Sequence, residues 1–367
     1  MVMAVFVVNA AIFVLGAAIV IATVLSAVKT FVLPRGAPVL LSRVVFSAIR
    51  WLFNQVAGPS RPYLTRDRIM AMYTPVVLVT LPAVWLTLVG LGFTAMFWAL
   101  GVRPLAEAIA TSGASVSTVG FDRPHFFPAI LLSFIEAALG LGLVALLISY
   151  LPTIYAAYSR RETVVGQLEP LAGTPPSPEV MLLRHHQILG LERLDRVWTR
   201  WQEWFADVEE SHTSIAALVF FRSPHPNRSW VTAAGCVLDT AAIDLACLDS
   251  PPSPEAQLCI RGGFEALRRI ADFFNIAYHP DPRPDDPISI RREEFDTLWD
   301  TLKGAKVHLK KDREQAWRDY AGWRVNYDQV IRALAALTMA PAAPWTSDRP
   351  LPYKFTPLVQ RAADPQA

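Results

Sequence analysis

The sequence predicts an all-α membrane protein: apolar membrane helices with a re-entrant loop, followed by a helical domain outside the membrane. Long, nearly charge-free apolar stretches occur only before residue 160 of the 367-residue chain. The later part mixes charges of both signs with helical periodicity and shows no convincing strand alternation. Between the second and third apolar stretches lies a polar segment, residues 104–124, that is too short to cross a bilayer.

Composition and motifs exclude several classes of function. The net charge of +2 gives no support for a nucleic-acid partner. The three cysteines, Cys236, Cys247 and Cys259, have no CxxC spacing, which argues against a zinc ribbon or a redox pair. There is no GxGxxG motif after a strand, no P-loop and no constellation of nucleophile and base. We therefore expect no enzymatic activity, no cofactor and no resident metal.

Residues 1–34 are predicted to form an N-terminal transmembrane helix. No Lys or Arg precedes the apolar core, which is longer than that of a signal peptide, so we expect a retained membrane helix and not a cleaved signal. Residues 35–68 carry six arginines and a single acid. Within them, residues 39–56 are amphipathic, with Arg43 and Arg50 away from the apolar face. This pattern is typical of a helix in the membrane interface, although a soluble connector helix has it too.

Residues 69–160 are predicted to form a hairpin of two membrane helices around the polar segment. The first helix covers residues 69–102 and the second begins near residue 129. Between them, residues 104–115 favour a short helix with Pro104 in its first turn, and residues 117–122 favour an extended return. Non-helical backbone at membrane depth must be buried in protein or line a water-filled path.

The segment Thr118-Val119-Gly120-Phe121 resembles the selectivity filter of potassium channels, whose family pattern is T-V-G-(Y/F)-G-D. The resemblance implies that the carbonyls of these four residues replace the hydration shell of a permeant potassium ion in a homotetramer. Asp122 stands where the family has its second glycine. The loop also resembles the single-glycine loops of Trk/Ktr-type transporters, so a monovalent-cation pore is better supported than strict potassium selectivity.

Glu136 is the only ionisable residue of the third apolar stretch, about two turns from its start. With Ser117 and Asp122, it is predicted to support the filter. Its expected contacts are hydrogen bonds to Ser115, Ser117 or Thr118, or an ion pair with Arg123. The alternatives are a carboxyl that reaches the lipid headgroups and a protonated carboxyl with a local partner.

Three residues of the third stretch are candidates for a gating hinge. The resemblance implies that Gly140, Gly142 and Pro152 bend the inner helix at the cytoplasmic mouth of the pore. For the two glycines, close packing against the helix of residues 69–102 is an equally good explanation.

The distribution of basic residues predicts the orientation. Basic side chains flank the apolar stretches at residues 29–68 and 160–161, and few lie at residues 101–128. The positive-inside rule then places the N-terminus outside, the C-terminal part in the cytoplasm and the filter facing outward. We expect a multi-pass protein of the plasma membrane with lipid as a partner.

The remainder is predicted as a linker (residues 161–178), a cytoplasmic all-helical domain (179–340) and a disordered tail (341–367). Helices are expected at residues 178–210, 211–221, 229–248 and 254–278. A long stretch at 292–338 is expected to be interrupted near Gly304 or Gly322. Asp239 and Asp244 lie on an apolar helix and are expected to form buried ion pairs, with Arg268 or Arg269 as candidate partners.

Two functions are compatible with these observations. The first is a tetrameric cation channel that is gated by its inner helix and regulated by the helical domain, where an unknown ligand or protein could act. The second is a membrane-anchored signalling or scaffold protein whose helical domain is the working part.

Overall fold

The computed structural model describes residues 2–31, 40–121 and 124–349. The predicted all-α class is confirmed, because the described residues form helices and turns and contain no strand, only a single bridge between Leu248 and Leu309. In chain order the α-helices are α1 (Val2–Phe31), α2 (Leu40–Val56), α3 (Tyr63–Ala71), α4 (Tyr73–Leu100), α5 (Leu105–Val116), α6 (Phe127–Ala172), α7 (Pro178–Arg184), α8 (Leu194–Ser214), α9 (Trp230–Cys247), α10 (Pro254–Phe273), α11 (Arg292–Gly304), α12 (Arg313–Arg324) and α13 (Asp328–Thr338).

Four helical segments of the described chain are long and apolar enough to cross a membrane: Met3–Thr30, Tyr63–Leu100, Phe127–Ala172 and Trp230–Cys247. This supports a multi-pass membrane protein. Their burial differs sharply, since 94% of the apolar window of Trp230–Cys247 is enclosed by the protein, against 11% for Met3–Thr30 and 17% for Phe127–Ala172. A helix that is apolar all round and enclosed by protein is typical of a core helix.

The chain divides into two compact units. Unit 1 comprises Met1–Val56 and Met72–Tyr155, and unit 2 comprises Ala57–Ala71 and Ala156–Ala367. Helix α6 passes from one unit into the other and ends at Ala172, so much of the segment expected to be a linker is helical. Residues 341–349, expected to be part of the disordered tail, contain the buried side chains of Ala343 and Thr346.

In unit 1, α1 and α4 cross at two glycines. A Cβ on Gly16 would lie 2.5 Å from the carbonyl oxygen of Gly92, and a Cβ on Gly92 would lie 2.8 Å from that of Gly16. Small residues allow two membrane helices to approach backbone to backbone, where van der Waals packing holds them together.

Helix α2 packs on the start of α4 through Tyr73. The ring of Tyr73 lies edge-on to Phe53, its hydroxyl donates to the Phe46 carbonyl at 3.2 Å, and the Arg50 guanidinium lies 5.3 Å from its centroid. The prediction that Arg50 points away from the packed face is therefore wrong, because its side chain is buried against this aromatic ring, where a guanidinium is stabilised.

In unit 2, most side chains of α9 are fully enclosed. The helix expected over residues 178–210 is interrupted after α7 by a π-helical turn and by Gly190, whose φ is +89°. The next expected helix is instead the end of α8 and a 3₁₀ turn, Ala216–Phe220. The long stretch at 292–338 breaks after Gly304, as expected, and again between α12 and α13.

Asp239 on α9 is part of a buried ionic network. Its carboxylate accepts from Arg324 at 2.6 and 2.7 Å and from the hydroxyl of Tyr327 at 2.9 Å. Asp244 accepts from the indole N–H of Trp198 at 3.0 Å. Arg268 and Arg269, the expected partners, bond elsewhere, because the helix turns of α10 direct them to Asn326, Pro280 and Glu209.

Candidate functional site

The candidate site begins where α5 ends. Ser117 is the C-terminal cap of α5, and both its backbone N–H and its hydroxyl donate to the Gly113 carbonyl. The Ser117 side chain thus stabilises the last turn of α5. The last carbonyls of a helix have no partner within the helix, and here the loop supplies several of their donors.

The loop after α5 turns back on this helix. The N–H of Thr118 donates to the Ser115 carbonyl at 2.9 Å, and the N–H of Gly120 donates to the Ala114 carbonyl at 3.1 Å. Both residues have left-handed backbone, with φ of 57° and 69°. The extended return expected over residues 117–122 is therefore wrong at its start, because the carbonyls at the end of α5 bind these two N–H groups.

Left-handed backbone is unusual at Thr118. A β-branched residue clashes with its own backbone there, so the conformation costs about 1–3 kcal/mol and persists only where the surroundings impose it. Such strain occurs preferentially at functional sites. Gly120 tolerates positive φ at no steric cost.

The four carbonyls of residues 118–121 follow the turn at the end of α5. Within the described part of the chain, no N–H or O–H group donates to them. The side chains of Val119 and Phe121 are 68% and 71% exposed, and a Cβ on Gly120 would meet nothing within 4 Å. These carbonyls, which have no donor among the described residues, follow the negative end of the α5 dipole, which favours a positive charge.

Glu136 of α6 is fully buried and joins this helix to α5 and α4. Its Oε1 lies 2.6 Å from the hydroxyl of Ser112, which also lies 2.9 Å from the Gly90 carbonyl. The Ser112 hydroxyl has one hydrogen and cannot donate to both acceptors. Both contacts are satisfied when Glu136 carries a proton and donates to Ser112, which then donates to Gly90.

This geometry bears on the contacts expected of Glu136. Among the described residues its side chain bonds Ser112, one turn before Ser115, and bonds none of Ser115, Ser117 and Thr118. Arg123 and Asp122 lie outside the described residues. The observed contact is with a local partner, and that partner belongs to α5.

We expect Glu136→Gln to preserve the stability of unit 1 and Glu136→Ala to reduce it by about 2 kcal/mol or more. The glutamine amide can still donate to Ser112, whereas alanine removes this bond and leaves a void. Thermal unfolding of the detergent-solubilised protein measures the difference. An equal loss in both variants would show that Glu136 acts through its negative charge.

Gly140, one turn further along α6, packs against the end of α5. A Cβ there would lie 2.4 Å from the carbonyl oxygen of Val116. A Cβ on Gly142 would meet nothing within 4 Å, and Pro152 is exposed inside the continuous helix α6. Of the three hinge candidates, Gly140 therefore packs closely, but against the end of α5 and not against the helix of residues 69–102 that was named as its alternative partner.

Three residues at the centre of the site were missed by sequence reasoning: Gly90, Ser112 and Val116. The buried face of α5 offered a signal, because it presents small side chains at helical spacing: Ala108, Thr111, Ser112 and Ser115. Small and hydroxylated residues at such spacing are typical of close helix packing in membranes.

No group of three or more His, Cys, Asp or Glu side chains that could hold a metal ion occurs in the part of the chain that the structure describes. Comparisons with protein-family models, curated proteins and solved structures find no match for this chain. The geometry at the end of α5 is therefore the main indication of function.

Proposed function

We propose that this chain is one subunit of a homotetrameric cation channel in which the carbonyls of residues 118–121 line the ion path. The observation that carries the proposal is this group of four carbonyls, which have no donor among the described residues. It lies at the C-terminal end of α5, between two helices, α4 and α6, that are long enough to cross a membrane.

The chemistry of the ligands favours a monovalent cation. Backbone carbonyls can replace the water around potassium, and the binding is weak enough for the ion to leave again. Calcium and magnesium sites in proteins generally include carboxylates, and residues 118–121 contribute none. The nearby negative end of the α5 dipole adds to the attraction.

A single copy of the loop supplies too few oxygens to surround an ion. Closed rotational symmetry is the usual way in which identical subunits complete such a site, and four copies give rings of four carbonyls. Large apolar side chains of α6 remain exposed, among them Leu131, Phe134, Leu141 and Ile148. In the assembly, neighbouring subunits and lipid cover them.

The proposed topology follows the positive-inside rule, with the loop re-entering from the outer face and unit 2 in the cytoplasm of a plasma-membrane protein. Unit 2 is then the regulatory part. The alternative remains a membrane-anchored scaffold or signalling protein. A monomer or dimer in mild detergent, together with the absence of flux, would favour that alternative.

The direct test is cation flux through purified protein reconstituted into liposomes. We expect the wild type to pass potassium, and Gly120→Ala to reduce the flux at least tenfold. Alanine at φ +69° costs about 1 kcal/mol in each of four subunits and reorients the neighbouring carbonyls.

Gly113→Ala is the matched control, since Gly113 lies on α5 and a Cβ there would also meet nothing within 4 Å. Wild-type protein that passes neither potassium nor sodium would refute the proposal. Equal flux through the Gly120→Ala and wild-type proteins would refute the role of the loop.

A further inference from the structure

Residues 218–222, here called the bridge segment, connect two helices of unit 2 that do not follow each other in the chain. The segment contains the end of the 3₁₀ turn Ala216–Phe220 and the two residues after it. On one side it binds the part of α6 that belongs to unit 2, and on the other it binds α3.

The contact with α6 is made by Arg161, whose side chain is 1% exposed. Its guanidinium donates to the carbonyls of Leu218 at 2.8 Å and Phe221 at 2.7 Å. The remaining N–H groups bond Glu162 and the Nε2 atom of His212. All five donors of the guanidinium therefore have a partner.

His212 is held in the form that this contact requires. Burial, and in addition the charge of Arg161, lowers the pKa of His212 well below its usual value, so the ring is neutral. Because Arg161 can only donate, the Nε2 atom of His212 accepts and its Nδ1 atom, 3.1 Å from the Ser211 hydroxyl, carries the hydrogen. One turn before Arg161, Tyr158 adds a hydrogen bond from its hydroxyl to the Arg222 carbonyl at 3.1 Å.

The contact with α3 is made by the side chain of Arg222. It donates to the Asp67 carboxylate at 2.5 Å and to the Tyr63 hydroxyl at 2.8 Å. The same guanidinium donates to the carbonyls of Thr338 and Met339 at the end of α13. The side chains of the Arg222–Asp67 pair are 10% and 12% exposed, so the pair is largely shielded from water.

The two helices that the bridge segment binds are continuous with the membrane-spanning helices. Helix α3 leads directly into α4, and the bonded part of α6 leads back into its apolar part. Helix α4 and the apolar part of α6 are the two helices that flank residues 118–121 in the chain. We propose that the bridge segment couples α3 to α6, so that the conformation of unit 2 sets the position of α6 at the gate.

This inference rests on the proposed channel function and specifies its regulation. A shift of α6 relative to α3 requires the bridge segment to move with one of them and to break its hydrogen bonds to the other. Those bonds join buried groups, and a buried donor or acceptor without a partner is costly. Such a shift would leave the segment bonded to one helix or to the other, and coupling between two sites needs two discrete arrangements of this kind.

The test is a double-mutant cycle on the full-length protein in liposomes, with single-channel recording. Asp67→Asn weakens the bond on the α3 side, and Tyr158→Phe removes one on the α6 side. We expect each to change the open probability about fivefold or more, a typical size for coupling between sites, with unitary conductance and ion selectivity unchanged. Combining the two should add less than twofold to the larger single effect, because either change uncouples the helices.

Asp207→Asn is the matched control. Asp207 pairs with Arg160 of α6 at 3.1 Å, so the variant removes the same charge at an ion pair of α6 that does not involve α3. It should leave the open probability within twofold of the wild type. Additive effects of Asp67→Asn and Tyr158→Phe, or effects no larger than that of Asp207→Asn, would refute the coupling.

A second measurement separates this proposal from the channel proposal. If the wild type conducts no ion, the channel function fails, and hydrogen exchange then tests the bridge alone. Asp67→Asn should speed amide exchange in residues 156–165 of α6 at least threefold, although Asp67 belongs to α3. Unchanged exchange in those residues would refute the bridge.

Discussion

Replacement of Gly140 by alanine is expected to reduce cation flux at least tenfold and to destabilise unit 1. The added Cβ would lie 2.4 Å from the carbonyl oxygen and 3.2 Å from the carbonyl carbon of Val116. These atoms belong to the backbone of α5 and cannot rotate away as a side chain can. Helix α6 must therefore retreat from α5, and overpacking of this kind costs about 1–3 kcal/mol in each subunit.

The retreat also affects the hydrogen bonds of the site. Glu136 lies one turn before Gly140 on α6, so its 2.6 Å contact with Ser112 would lengthen. The end of α5, which holds the N–H groups of Thr118 and Gly120, would lose the surface that positions it. We expect at least a tenfold loss of potassium flux in liposomes and a lower unfolding temperature in detergent.

Gly142→Ala is the matched control for this experiment, because the same methyl group at Gly142 would meet nothing within 4 Å in the chain. We expect the unfolding temperature of this variant to stay close to that of the wild type. If both glycines acted as hinges, the two alanine variants would instead alter gating alike and leave stability intact. That outcome would contradict the packing role of Gly140.

The second large effect is expected in unit 2, where Arg324→Met should destabilise the fold by about 3–5 kcal/mol. The side chains of Arg324 and Asp239 are both 0% exposed. Burial by itself lowers the pKa of Arg324, but the carboxylates of Asp239 and Asp328 raise it well above the usual value, so the guanidinium is charged. Methionine fills the space and leaves Asp239 with only the hydroxyls of Tyr320 and Tyr327.

Thermal unfolding in detergent measures this loss, which corresponds to a decrease of about 10 °C for a domain of this size. Arg261→Met is the control, because Arg261 pairs with Glu265 on the same helix and its side chain is 72% exposed. An exposed pair contributes less than about 1 kcal/mol. Similar unfolding temperatures for the two variants would show that the buried network does not stabilise unit 2.

Most of what depends on local pattern could be predicted from the sequence. The apolar stretches, the short helix after Pro104 and the change of composition near residue 160 are recorded in periodicity and charge, and they predict the all-α class. The two helix breaks near Gly304 and Gly190 differ in whether the sequence predicts them. The first was predicted, whereas the second depends on a π-helical turn that has no simple sequence signal.

The hydrogen-bond and ion-pair partners of individual side chains were harder to predict, because they depend on which side chains of distant segments meet. Asp239 was expected to bond an arginine of the neighbouring helix α10, but α12 brings Arg324 closer. Arg50 was placed on a polar face and instead lies against Tyr73, 23 residues further along the chain. Glu136 was singled out from the sequence, but its partner Ser112 became evident only when α4, α5 and α6 were placed together.

The sequence by itself determined the apolar helices and the polar loop between two of them. Only the tertiary structure decided that the loop turns back on α5, that Gly140 packs against Val116 and that residues 218–222 join α3 to α6. The physical reason is the sequence separation of the residues that interact. Helix formation and apolar character depend on neighbours a few residues apart, whereas these contacts depend on where whole helices lie in three dimensions.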